Sequence, residues 1–486
     1  MSAMPSIILG PRGERVYRAR FDAGTVGGPE RGSPQTARFI YRDITPSERR
    51  RLMDGSADLA DNSPIFRGLF ERLVTYVIGC GIWPQSGSTD AGFNAEADAV
   101  FEAFAQDCDI RGGISWPILQ SQLFRSELRD GDGGTILTRN NGEPMVWACE
   151  GRQIGDPLAG GYGEFFDGVK LDASGRPISY RVYSESATGV RGSKDVEAAN
   201  FVHIYDPERC GLVRGVPLIA SALNTGRDVH EILALEKLAV KDASSKTDIV
   251  TTENGEEDVA SLYARGGATL NGSDGEESRK YYRQVFGPEA KYIRRGDAWE
   301  AYKSERPGPA WQGFMDFLSQ TICLAARIPP SVLLQIKVGG ADTRRDLAAA
   351  ARVFEMMQVR LAHQFARIRN YVVEFKLQTL PADWKRISWQ FPKAITVDAG
   401  REAAQDREDV RAGLMTEQEY QGRWGQDWRR HRIQVEAEAT DRIRRAKSIS
   451  QKEGVPFELA LQMLGVSTNP PNPAGEQVQP TGGNNV

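Results

Sequence analysis

Residues 201 to 231, FVHIYDPERCGLVRGVPLIASALNTGRDVHE, decide how the chain is read. Phe201, Val202, Ile204 and Tyr205 form a short β-type run, which Asp206 and Pro207 break. Arg214, Gly215 and Pro217 then lead into apolar positions spaced three and four apart, the period of a helix with a buried face. A strand feeding a long helix through a loop with no catalytic group reads as a machine part rather than an enzyme. From Pro217 to about Ala243, Ile219, Ala222, Gly226, Val229, Leu233 and Val240 mark one face, and Ile232, Leu235 and Ala239 a second. Such a helix would extend roughly 40 Å. Two apolar seams imply neighbours on both sides, as in a ring of subunits, with Val229 and Leu233 as expected subunit-interface positions.

Upstream of this block, residues 135 to 205 read as a meander of short strands. GVKLDASGRPISYRVY, Gly168 to Tyr183, is a hairpin turning at Asp172, Ser174 and Gly175. Asp130, Gly131, Asp132, Gly133 and Gly134 form the turn into it from a helix over Trp116 to Arg129, and a further helix is expected from Ala95 to Gln106. Asn62, Ser63 and Pro64 start a helix whose apolar face is Ile65, Leu69, Leu73, Tyr76 and Val77. Residues 1 to 60, rich in Gly, Pro and Arg, read as an extended arm.

Downstream, residues 244 to 310 are polar and glycine-containing, an inserted module between helices. Trp311, Phe314, Leu318, Ile322 and Ala325 mark the next helix, which Pro329 and Pro330 stop. After the loop QIKVGGADTRRD, Thr343 and Asp346 form a capping pair for the longest helix. Its apolar positions, Leu347, Ala350, Phe354, Met357, Leu361, Phe365, Ile368, Val372 and Phe375, recur at near-heptad spacing. SWQFP near Ser388 is strand-like, residues 400 to 451 are charged and helical, and the Pro- and Gly-rich end from about Ser467 cannot bury enough apolar surface to fold.

The 486 residues suffice for several packed units, and the formal net charge of -4 argues against tight phosphate binding while allowing a surface along which DNA slides. Five scattered cysteines read as reduced thiols, and neither a disulfide framework nor a zinc site is implied. There is no secretory signal pattern, and the most apolar run, Val74 to Trp83, is roughly half the length a membrane span needs. No Gly-Lys dipeptide occurs, which excludes a phosphate loop, and no Gly-x-Ser-x-Gly elbow is present. His203, His230, His363 and His431 lack metal-binding spacing and read as structural or surface groups. Asp130 and Asp132 resemble the start of a calcium loop, yet Asn141 stands where the closing Glu should be, so a tight turn is the better reading. Arg209 and Arg214 could meet phosphate, but pairing with carboxylates between subunits is favoured. Lys337, Arg344 and Arg345 flank a glycine loop where a mobile segment could touch DNA; the alternative is solvated charges at a helix start, and the unfavourable placement of the arginines against the helix dipole keeps the functional reading open beside it.

Several blocks in order resemble the lambda family of tailed-phage portal proteins: NSPIFRGLFERLVTYVIGCGIWPQ (62 to 85), GVKLDASGRPISYRVY (168 to 183), HIYDPERCGLVRGVPLIASAL (203 to 223), RPGPAWQGFMDFLSQTICLAARIPPSVLL (306 to 334) and GLMTEQEYQGRWGQDW (413 to 428). The resemblance implies an α+β portal-type fold without enzymatic activity or cofactor, in a ring of usually twelve identical subunits at one capsid vertex of the virion, assembled in the host cytoplasm. Its parts would be an N-terminal arm (1–60), an α/β wing (61–216), stem helix 1 (217–243), a small α/β clip (244–310) and stem helix 2 (311–334). A channel loop (335–343) carrying Lys337 and leading to Arg344 and Arg345 would face DNA. A long kinked helix with the second part of the wing (344–399), a helical crown (400–466) and a disordered tail (467–486) would complete it. Implied partners are the large terminase subunit and later the head-tail adaptor at the clip, the major capsid protein and a scaffold protein, and double-stranded DNA in the channel, with no membrane. The run Gly340, Ala341, Asp342, Thr343, Arg344 departs from the small hydroxyl residues that often precede this arginine in the family. Alternatives from other classes are a metal-dependent nuclease or a different head-tail connector. A conduit should bind phosphate weakly, so a largely acidic channel is expected.

Overall fold

The computed structural model describes residues 44, 46–155, 164–185, 191–245, 309–334, 340–393 and 399–465, together with four two-residue strands. Most of residues 244–310, expected as the clip, most of the expected N-terminal arm, the loop with Lys337 and the C-terminal segment from residue 466 lie outside the described residues. The chain divides into two units, one of residues 1–77 and 99–380, the other of 78–98 and 381–486.

Along the chain, the two-residue strands β1 (Ile8–Leu9) and β2 (Arg15–Val16) pair with each other and precede helix α1 (Pro46–Asn62). Then come α2 (Pro64–Val77), β3 (Trp83–Ser86), α3 (Ala91–Gln106), α4 (Trp116–Asp130), β4 (Asp132–Asn140) and β5 (Glu143–Glu150). Strands β6 (Phe165–Phe166), β7 (Val169–Leu171), β8 (Pro177–Glu185), β9 (Arg191–Glu197) and β10 (Phe201–Tyr205) follow, then α5 (Leu223–Ser245) and the pair β11 (Ile249–Val250) and β12 (Lys291–Tyr292). The rest is α6 (Pro309–Ala325), α7 (Pro330–Leu334), α8 (Gly340–Lys376), β13 (Ile387–Gln390), α9 (Ala399–Arg411), α10 (Glu417–Arg423), α11 (Trp428–Glu453) and α12 (Phe457–Met463).

In the first unit, β10, β4 and β5 form one antiparallel sheet and β6 to β9 a second. Strand alternation splits β10 between two cores. Phe201 and His203 face the second sheet, where the Phe201 ring stacks on Tyr180 at 4.3 Å and His203 meets the same ring edge-on. Val202 and Ile204, equally buried, serve the opposite face. Helices α4 and α8 pack against the first sheet, and Trp116 of α4 meets Phe365 of α8 edge-on at 5.3 Å. Phe66, Leu69, Leu73 and Val77 of α2 recur at helical spacing and are fully buried, each contributing about 1.5–3 kcal/mol.

Several element limits differ from the sequence reading. The presumed arm already contains α1, which escapes an apolar-period search because much of its buried face is polar or small: Arg49, Gly55 and Ser56 accompany Met53 and Leu59. The helix expected from Pro217 begins at Leu223, after a single 3-10 turn over Ala220–Ala222. The helix ahead of the loop ends at Ala325, two residues before Arg327 takes a left-handed φ of 60°, and Pro330 opens α7 instead of stopping its predecessor. The long helix starts at Gly340, so Thr343 and Asp346 lie inside it and do not cap it; the Asp346 carboxylate accepts from the Ser331 hydroxyl at 2.5 Å. The turn expected over 130 to 134 is shorter, Gly131 alone joining α4 to β4 while Asp132, Gly133 and Gly134 are already strand, and the hairpin at 168 to 183 is as expected.

In the second unit, β3 pairs antiparallel with β13, from Trp83 against Gln390 to Ser86 against Ile387. Thr416 and Glu419 form a capping box at α10, and Asp427 caps α11 by accepting from the Arg429 and Arg430 amides.

Candidate functional site

The connection from β10 to α5 passes over a buried cluster of charge. Asp132, the first residue of β4, is fully enclosed, and Arg214 is 3% exposed. The Arg214 guanidinium donates to both Asp132 oxygens and to the carbonyls of Gly151 (2.9 Å), Ile154 (2.8 Å) and Asp167 (2.7 Å). Five hydrogen bonds match the five N–H donors of the group. His203 Nε2 lies 3.2 Å from Asp132, and Arg49 of α1 lies 3.7 Å from it while donating to Asp167. One guanidinium thus ties the start of β4, the turn after β5 and the loop before β7 to the segment that becomes α5.

Burial alone would raise the Asp132 and Asp167 carboxyl pKa values. The adjacent Arg214 and Arg49 charges and their hydrogen bonds hold both below the ordinary carboxylate value. Burial pushes the His203 imidazole down against the opposing pull of Asp132, favouring the neutral ring. Close approach fixes the surrounding backbone. Gly131 ends α4 at φ 92°, and a Cβ on Gly215 would sit 1.8 Å from the Gly131 carbonyl oxygen.

A second network joins the end of β10 to the long helix. Arg360 of α8 donates to the Tyr205 carbonyl at 2.9 Å and to Glu127 of α4, and Gln364 donates to the same carbonyl at 2.7 Å. Burial raises the Glu127 pKa despite Arg360, and its Oε2 is buried without a protein partner. Arg327 pairs with Glu208 and, at 3.6 Å, with Asp206.

The helices above this joint carry apolar surface that the described residues do not cover. On α5, Leu223, Gly226 and Val229 are buried, Val229 to 1%. Leu235 and Leu238 lie on the other side at 58% and 61% exposure. On α6, Met315, Ile322 and Cys323 are buried, while Phe314, Phe317 and Leu324 are 51%, 64% and 75% exposed. With Thr321 they follow a helical stripe at spacings of three, four and three.

Of the residues expected at the site, Val229 is buried within its own chain, and the exposed large apolar residues of α5 are Leu235, Leu238 and Val240. Leu233 is half-buried. Arg344 and Arg345 are exposed at the start of α8, with Arg345 3.4 Å from Asp342 and 3.8 Å from Asp346. Arg214 pairs with carboxylates as favoured, but with those of its own chain. Arg49, Asp132 and Asp167 were missed as ion-pair partners. Nothing local flags Arg49 or Asp167, whereas Asp132 stood in a recognised turn. A cleft of about 710 Å³ beside this cluster is lined by Arg49, Arg50, Arg111 and Arg152 but also by Asp54, Glu150 and Asp167, a near balance of charge.

Among the described residues, no group of three His, Cys, Asp or Glu side chains is arranged to hold a metal, and no helix is long and apolar enough to cross a membrane. The cysteines are unpaired, and burial raises the Cys108 and Cys149 thiols to about 12 and Cys323 to about 11.

The joint and the helix pair lie within residues 31–336, which match the profile of the family described as phage portal protein, lambda family. The chain belongs to that family. Similar solved structures include the neck of an empty gene transfer agent particle computed with C6 symmetry, at 13% identity and TM-score 0.48, covering 76% of this chain and 93% of that one. The neck of a native particle computed with C12 symmetry gives 14%, 0.47, 79% and 94% in the same order. The virion of a native gene transfer agent particle gives 15%, 0.45, 78% and 93%. No curated protein sequence matches the chain. The phage portal family is one of structural connectors.

Proposed function

We propose that the chain forms a closed ring, twelve-membered as the family resemblance implies, that conducts double-stranded DNA through a capsid vertex. In this reading α5 and α6 are the stem and residues 244 to 310 dock first the terminase motor and later the head-tail adaptor. The loop with Lys337, continuing to Arg344 and Arg345, faces DNA. The observation that carries the reading is the outward apolar stripe on each of two adjacent helices, in a member of a portal family. A heterologous contact, stripe to neighbouring helix, repeats until the rotation closes.

The magnitudes suit a closed ring. Covering Leu235, Leu238, Phe314, Phe317 and Leu324 releases about 1–2 kcal/mol each, or about 5–10 kcal/mol per junction before association costs. Those costs are about 4–15 kcal/mol. One junction is therefore marginal, and closure, which gives every subunit two, favours the complete ring over open fragments. Mass photometry tests this: the wild type should run near twelve chain masses, and a Leu238→Asp, Phe317→Asp variant should stay monomeric with an unchanged far-ultraviolet spectrum. Normal rings from that variant would refute the placement of the stem.

A further inference from the structure

Residues 399–465 fold into four helices with almost no core of their own. Among the described residues there, Ala446 and Ala460 are the only buried apolar side chains. Leu414 is 79% exposed, Ile433 67%, Leu459 48% and Met463 72%. Helix α11 is the extreme case. It rests on α10 near its start and on α12 near its end, and residues 433 to 445 between them are all exposed. Val435, Ala439 and Ile443 continue the face on which Ala446 is buried, at spacings of three and four, and none of the described residues covers them.

Ion pairs do not account for a helix so placed. Arg432 with Glu436 (3.3 Å), Glu438 with Arg442 (3.7 Å) and Asp441 with Arg445 (2.8 Å) are i,i+4 pairs on open surface, where such pairs contribute little. Most helical stability comes from covering an amphipathic face. The charge distribution indicates what covers this one. Residues 428 to 453 carry eight Lys and Arg against four carboxylates, whereas residues 399 to 427 carry four Arg against seven carboxylates. Two segments of opposite net charge on one chain are complementary between copies related by rotation.

We infer that α11 is completed by a second copy of this chain, its Val435, Ala439 and Ile443 face covered by the acidic α9 and α10 of the adjacent subunit. The inference rests on the ring reading and adds the partner and polarity of a contact outside the stem. Duplex DNA is the competing occupant for a basic helix, but phosphates would leave Val435 and Ile443 uncovered.

Hydrogen exchange on the full-length chain tests the inference, with electron microscopy of the same samples. In rings, amides from Ile433 to Arg444 should exchange about 100-fold more slowly than in the Leu238→Asp, Phe317→Asp monomer. Arg442→Glu with Arg445→Glu should abolish that protection, and adding Glu402→Arg with Glu408→Arg should restore it at least in part. Intact rings in which α11 exchanges as fast as in the monomer overturn this contact and leave the ring standing. Protection that arises only on adding duplex DNA also overturns it and assigns α11 to nucleic acid. Absence of rings removes the functional reading and this inference with it.

Discussion

Replacing Arg214 by Met should be among the most damaging single changes in the chain, and its size follows from five hydrogen bonds. The substitution keeps most of the buried volume but leaves Asp132 ionised and enclosed, with only His203 and the more distant Arg49 as partners. The carbonyls of Gly151, Ile154 and Asp167 lose their donor. Breaking a buried ion pair from one side costs about 3–5 kcal/mol, and relaxation or water at the carbonyls keeps the total near that range. Against typical domain stabilities of about 5–15 kcal/mol, this removes about a fifth or more. Arg214→Lys keeps the charge but not the planar fork, and should lose about 1–3 kcal/mol. Urea unfolding followed by circular dichroism on the monomeric background reads the difference as a shift in midpoint at constant slope. The exposed pair of Arg125 with Glu71, bidentate at 3.0 and 2.9 Å, serves as control: Arg125→Met should cost under about 1 kcal/mol. Asp132→Asn combined with Arg214→Met should be milder than Arg214→Met alone, because no uncompensated carboxylate remains. An Arg214→Met protein within about 1 kcal/mol of wild type would refute the reasoning.

Gly215→Ala should destabilise by about 2–4 kcal/mol or prevent folding, since its Cβ has no room against the Gly131 carbonyl; thermal melts compare it with Gly313→Ala, whose Cβ would meet nothing within 4 Å. Acid should weaken the first unit in two stages. The folded His203 pKa lies below its unfolded value near 6.5, so its contribution is complete above that pH and declines as pH falls through 6.5, by at most about 1.4 kcal/mol per pH unit. His203→Gln should flatten that part of the unfolding-stability curve. The lowered pKa values of Asp132 and Asp167 give stability present above about pH 4 and lost below it, so a second decline should remain in the variant.

How much was legible in sequence depended on whether the signal was local. The hairpin at 168 to 183, the helix-to-strand break at Gly131 and the buried face of α8 from Ala350 to Val372 each follow from periodicity or turn chemistry, and the structure contains them. Helix α1 did not, because Arg49 is buried by ion pairs with residues more than eighty positions away. The same distance hid the hub: Arg214 and Asp132 are 82 residues apart, and the favoured pairing with carboxylates was right in kind but placed between subunits instead of within one. Val229 shows the converse limit. Periodicity finds an apolar face without saying which neighbour covers it, and the chain's own first unit claims that one, leaving Leu235, Leu238 and the α6 stripe exposed.

Single-particle cryo-electron microscopy of the purified full-length protein tests the ring most directly. The account predicts closed rings with a central channel, α5 and α6 in its wall, and Leu238, Phe317 and Leu324 buried between adjacent subunits. Monomers under all conditions, or rings in which those side chains remain in solvent, would contradict it.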